Sequence, residues 1–188
     1  MNAAILTSIV GALSALLGVA LTAYVQLRNQ RSNQQFQLAV ETAKYERDSA
    51  DREKIESLRR MAEAHKALSA IAREFSVTTL DILWRSSMTD SEYDQRYLAA
   101  SSNMDDLRAF AGLHESSLID DIEKLHSQMN IFWGSFKNVL YQTSQGQKVD
   151  HTSSSLTNAH DAANEIGRVV FFVKGRLTQL ASSVRSDG

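Results

Sequence analysis

The chain has 188 residues, 43% of them hydrophobic, with 20 basic and 22 acidic side chains and a formal net charge of −2. That length allows one domain plus an extension, and the balanced charge argues against a nucleic-acid partner held by bulk electrostatics. The absence of cysteine excludes disulfides, thiolate zinc sites and cysteine nucleophiles, while the absence of proline and the presence of only 8 glycines suit long uninterrupted helices.

From Met1 to Leu27 no side chain is charged, and Ala3 to Val25 is apolar apart from Thr7, Ser8, Ser14 and Thr22. About 23 residues at ~1.5 Å rise reach ~34 Å, enough for a bilayer core, so 3–27 is predicted as a transmembrane helix. The rival reading, a secretory signal peptide, lacks a basic leading region and a small-x-small cleavage site. Arg28 and Arg31 follow the segment at once, which predicts a single-pass protein of the bacterial inner membrane with its C-terminal domain in the cytoplasm. Tyr24 sits where an amphipathic ring favours the headgroups. Thr7, Gly11, Ser14, Gly18 and Thr22 fall on one helix face, extended by Gln26. Small and hydroxylic residues so aligned read as a packing face between copies of the chain, or as a pore lining. The plainer alternative is that such residues are common in membrane helices and align here by chance.

Residues 28–54 are crowded with Gln, Asn and charges, and Lys44 to Asp48, Arg47 to Asp51 and Asp48 to Arg52 stand at i,i+4. Their apolar residues (Phe36, Val40, Ala43, Ala50) are sparse, so this stretch is predicted as a solvated helical stalk or a weakly specified coiled coil. From Leu58 a seam of Met61, His65, Leu68, Ala72, Phe75, Thr79 and Ile82 alternates by three and four, with His65 as a polar intruder. Thr89 and Glu92 form a capping-box signature for a helix whose seam is Tyr93, Tyr97, Ala100, Met104, Leu107 and Ala111, stopping near Gly112. Another opens near Ser116 or Ser117 with Leu118, Ile122, Leu125, Met129, Phe132, Phe136 and Val139 in the same rhythm. After a polar loop with Gly146 the last carries Leu156, Ala159, Ala163, Ile166, Val170, Val173, Leu177, Leu180 and Val184. The expected fold is therefore all-α: an N-terminal transmembrane helix (3–27), a long helical stalk (28–54) and an antiparallel four-helix bundle (55–188). The β-prone run 169–173 lies inside the final seam and reads as helix.

The five histidines are the first candidates for chemistry. Glu123 and His126 have the Glu-x-x-His spacing of di-iron bundles, and Asp120 and Asp121 lie nearby, but a second such pair is missing and a solvated acidic face is the simpler reading. No metal or other cofactor is therefore expected. His65 in the seam reads as a satisfied structural histidine, with a proton switch as the alternative, and Trp84 and Trp133 read as bundle contacts. No Gly-rich phosphate loop and no Gly-x-Ser-x-Gly elbow occurs, so no catalytic residue is assigned.

Arg60 to His65 and Arg108 to His114 fit the loose Arg-x4-6-His pattern of HEPN ribonucleases, although Met61 and Ala109 stand where those enzymes usually carry a polar residue. One N-terminal span followed by a helical cytoplasmic domain with such degenerate pairs resembles the CRISPR-associated HEPN-like membrane proteins that assist RNA-cleaving effectors in antiphage defence. The resemblance implies an oligomeric membrane pore or a loss of membrane integrity, with the nuclease motif not necessarily used. Taken together, the sequence predicts a non-enzymatic, self-associating membrane protein whose partners are the lipid bilayer, further copies of itself and a protein encoded nearby. A membrane-tethered HEPN-like ribonuclease acting through Arg60, His65, Arg108 and His114 is one alternative, and a four-helix-bundle sensor module is another.

Overall fold

A computed structural model of the chain describes residues 3–86, 88–150 and 152–186, and within them the side chains of all but 3–10, 12, 13 and 15. All its regular structure is helical: α1 (Ala3–Glu74), α2 (Val77–Arg85), α3 (Asp90–Leu113), a 3-10 turn (Ser116–Leu118), α4 (Ile119–Ser144) and α5 (Ser154–Ser186). The chain divides into two units, 1–53 and 54–188.

The first unit is the leading part of α1, and every side chain described between 16 and 53 is exposed. Leu16, Leu17, Val19, Leu21, Val25 and Leu27 are among them. The transmembrane helix expected over 3–27 is not found among the described residues, where no helix is long and apolar enough to cross a membrane. Much of that segment's apolar surface belongs to side chains outside those residues, and the described remainder runs straight into the polar stretch after Leu27. The i,i+4 charge pairs expected in the stalk do not close within ion-pair distance, as suits long exposed side chains that gain little from pairing in water.

The second unit holds the core. Along α1 the buried residues are Met61, Ala64, Leu68 and Ile71, continued by Phe75 just past its end, a seam spaced by three and four that shares only part of the predicted one. His65 is exposed, which corrects its assignment as a buried seam histidine: Ala64 and Ile71 fill that stripe without the cost of burying imidazole. The predicted continuous helix through Ile82 also breaks. Ser76 leaves the helical region (φ −86°, ψ 157°) and accepts the Thr79 amide on Oγ, while Thr79 Oγ1 donates to the Arg73 carbonyl at 2.6 Å. Two orphan groups at the junction are thereby satisfied. Restarting the helix changes its phase, so α2 buries Leu80 and Leu83 and leaves Ile82 exposed.

The remaining seams hold closely. Thr89 and Glu92 form the reciprocal capping box that starts α3, and Tyr93, Ala100, Met104, Leu107 and Ala111 are buried while Tyr97 is partly so. In α4 Ile122, Leu125, Met129, Phe132, Phe136 and Val139 are at most 2% exposed. Gly146, at φ 72°, ends α4 with the Gln147 amide donating to the Gln142 carbonyl and its own to that of Thr143, a Schellman closure that favours glycine because φ is positive. Polar contacts fix the directions of the four longer pieces. Lys54 and Ser69 of α1 meet Arg185 and Lys174 of α5; Glu74 of α1 meets Arg96 of α3. Asp94 and Arg108 of α3 meet Lys137 and Glu123 of α4. Asp121 and Asn138 of α4 meet Arg176 and Ser155 of α5. Each neighbouring pair among α3, α4 and α5 therefore runs antiparallel, as does α1 against α5.

Candidate functional site

Two regions carry the residues singled out from sequence. On α1 the described members of the small-residue face are Gly11, Ser14, Gly18, Thr22 and Gln26; the side chain of Thr7 lies outside the described residues. Thr22 Oγ1 donates back to the Gly18 carbonyl at 2.8 Å, so its hydroxyl is satisfied within its own helix. A Cβ added to Gly11 or Gly18 would meet nothing within 4 Å. Neither glycine is required by a close approach inside the chain, although each weakens a helix interior by about 1 kcal/mol relative to alanine. Gly18, Thr22 and Gln26 border one shallow hollow with Val19 and Ala23.

The second region is a groove of about 570 Å³ between α1 and α3 in the C-terminal unit. It exists because Ala64, Ala67 and Ala70 give α1 a thin side-chain layer there, opposite Leu107 and Phe110. Arg60 and His114 both line it, one member from each predicted Arg…His pair. The other members do not join them. His65 is exposed on α1 and absent from the lining. Arg108 reaches Glu123 on α4, Nε to Oε1 at 2.7 Å. His114 caps the end of α3 with its ring 6.1 Å from Phe110. The groove thus has one cation and one imidazole over an alanine-rich floor, with Glu63, Lys66 and Asp106 also on its wall.

Glu123 is taken by Arg108, and the His126 ring nitrogen lies 3.4 Å from the Asn130 amide, so the Glu-x-x-His pair does not converge on one point. Among the described residues no cluster of three or more His, Asp or Glu is placed to hold a metal.

One constellation has no counterpart in the sequence pattern. Asp94 accepts Trp133 Nε1 at 3.0 Å and Lys137 Nζ at 2.6 Å, and the Lys137 hydrogen bond is the leading reason its carboxyl is held below the usual range. Lys137 also lies 5.2 Å from the Trp133 ring centroid, and Tyr97 stacks on that ring at 5.0 Å while its hydroxyl bonds Asn130. These groups satisfy one another, so the cluster clasps α3 to α4. Its only sequence signal was an i,i+4 Trp133–Lys137 pair, uninformative without the facing helix. Comparison with family models, with curated proteins and with solved structures returned no match to this chain.

Proposed function

We propose that this is a membrane-attached, self-associating helical protein without enzymatic activity, whose N-terminal segment meets the bilayer and whose C-terminal unit is an antiparallel four-helix bundle with α2 as a short connector. The observation that carries the reading is the exposure of Leu16, Leu17, Val19, Leu21 and Val25 on a helix in whose unit no described side chain is buried. Apolar surface of that extent on a free helix costs about 25 cal/mol per Å² in water and is relieved by lipid or by other helices. The uncharged stretch through Leu27 and the cations Arg28 and Arg31 after it favour a bilayer, with the bundle on the cytoplasmic side. Gly11 and Gly18, which no intrachain contact requires, suit close helix approach between copies.

Deleting 1–27 is expected to release the protein from membranes, and a reporter fused at the C-terminus to behave as cytoplasmic. Gly11→Leu with Gly18→Leu should dissociate the detergent-solubilised oligomer while the anchored chain persists. An oligomer of unchanged size in that variant would overturn the packing role.

The co-location of Arg60 and His114 in one groove favours, as a second reading, a tethered ribonuclease. Attack by an RNA 2′-hydroxyl needs one positioned base and one cation. Loss of RNA cleavage in His114→Ala, with folding and anchoring intact, would establish it at the expense of the first reading.

A further inference from the structure

The C-terminal half of α5 carries a surface that the fold leaves unexplained. Phe171 is 82% exposed and its neighbour Phe172 56%, although phenylalanine on a helix of this unit is elsewhere buried or packed against the core. Gly167 and Gly175 flank Phe171 one turn on either side, and a Cβ at either would meet nothing within 4 Å. The exposed ring therefore sits between two glycines that weaken the helix and that no intrachain contact requires. Charge is as one-sided as the rings. From Ile166 to Ser186 the sequence has Arg168, Lys174, Arg176 and Arg185 and no carboxylate. Helical spacing puts Arg168, Lys174 and Arg176 around the two rings, and the Arg176 guanidinium lies 5.9 Å from the Phe172 centroid. Facing carboxylates offset this in part: Glu165 holds Arg168 at 2.6 Å and Asp121 holds Arg176 at 2.9 Å. Glu165 is shared with Lys124, and Lys174 donates to the uncharged Ser69 hydroxyl at 2.5 Å, so near the rings Arg168, Lys174, Arg176 and Lys124 outnumber Glu165 and Asp121.

We propose that this face of α5 docks on an anionic lipid surface, with Phe171 and Phe172 entering the headgroup boundary and the surrounding cations meeting lipid phosphates. Exposed aromatic rings ringed by Lys and Arg are the composition that binds such an interface. The same cations would repel a second copy of the face laid antiparallel on this one, which disfavours self-association there. This contact is separate from the N-terminal attachment proposed above and stands whether or not that segment enters the bilayer.

The chain has no cysteine, so Phe171→Cys gives a unique site for an environment-sensitive NBD label on the full-length protein, and Leu98→Cys, exposed at 69% on α3, gives a matched control. In vesicles containing phosphatidylglycerol the label at 171 should brighten at least about twofold and shift to the blue, whereas the label at 98 should not. High salt should reverse the change, and Lys174→Gln should weaken it about fivefold, as expected for loss of one cation near an anionic surface. Vesicle flotation of the same samples reports the N-terminal attachment independently, so failure of the anchor and failure of this face give different results. An unchanged label with anionic vesicles, an equal response to phosphatidylcholine alone, or a concentration-dependent change in detergent without lipid would overturn the proposal.

Discussion

Tyr93 is 3% exposed and edge-on to Phe136 at 5.0 Å, yet among the described residues its buried hydroxyl has no hydrogen-bond partner. A buried hydroxyl without a partner costs about 1 to 3 kcal/mol, and burial drives the phenol far above its ordinary titration range. Tyr93→Phe is therefore expected to stabilise the protein by about 1 kcal/mol, measurable by urea unfolding; a loss of stability would reveal a partner for the hydroxyl. Glu165 shows the opposite situation. Hydrogen bonds from Arg168 and then Lys124 lower its carboxyl from 4.5 to about 2. The folded value lies below the unfolded one, so the contribution is complete above about pH 4.5 and disappears as pH falls toward 2. Because its partners are largely exposed, the effect should stay under about 1 kcal/mol. The stability difference between the protein and Glu165→Gln should thus be present at neutral pH and vanish in acid, and a difference that persists at pH 2 would assign the effect to packing.

At the scale of elements, the seams of α4 and α5 were legible because their apolar residues admit one helical phase. Phe132, 1% exposed, meets Phe75, just past α1, at 5.4 Å and Phe136 at 6.2 Å. Phe132→Ala should cost about 3 to 5 kcal/mol in equilibrium unfolding, and a cost below about 1 kcal/mol would place the ring outside the core. The α1 seam was legible only in part, since Met61, Leu68 and Phe75 belong equally to the stripe through His65 and to the one through Ala64 and Ile71. The facing helices decide between two phases that sequence spacing leaves equivalent. The break at Ser76 was hidden for a related reason: Thr79 and Ile82 continue the rhythm by chance, while the capping bonds that stop the helix are local and polar. At the end of α4, Gly146→Ala should lose about 1 kcal/mol, because alanine resists φ near 72°.

At the scale of the molecule, all buried residues among those described lie between Met61 and Leu177, within the unit 54–188. A fragment lacking 1–53 should accordingly keep a cooperative thermal transition by circular dichroism, and its loss would show that the first unit supports the core. By itself the sequence determined that the chain is helical, where the capping box at Thr89 and the turn at Gly146 fall, and which faces of α4 and α5 are apolar. These follow from local propensity, capping and periodicity, all of which act within a few residues of one helix. Only tertiary structure decided that Arg60 and His114 share a groove while His65 stays outside and Arg108 pairs with Glu123. It alone joined Asp94 to Trp133 and Lys137, and left Phe171 and Phe172 uncovered. Such relations depend on which helix lies opposite and at what register, and that is fixed by the packing of whole faces, which spacing along one strand of sequence does not encode.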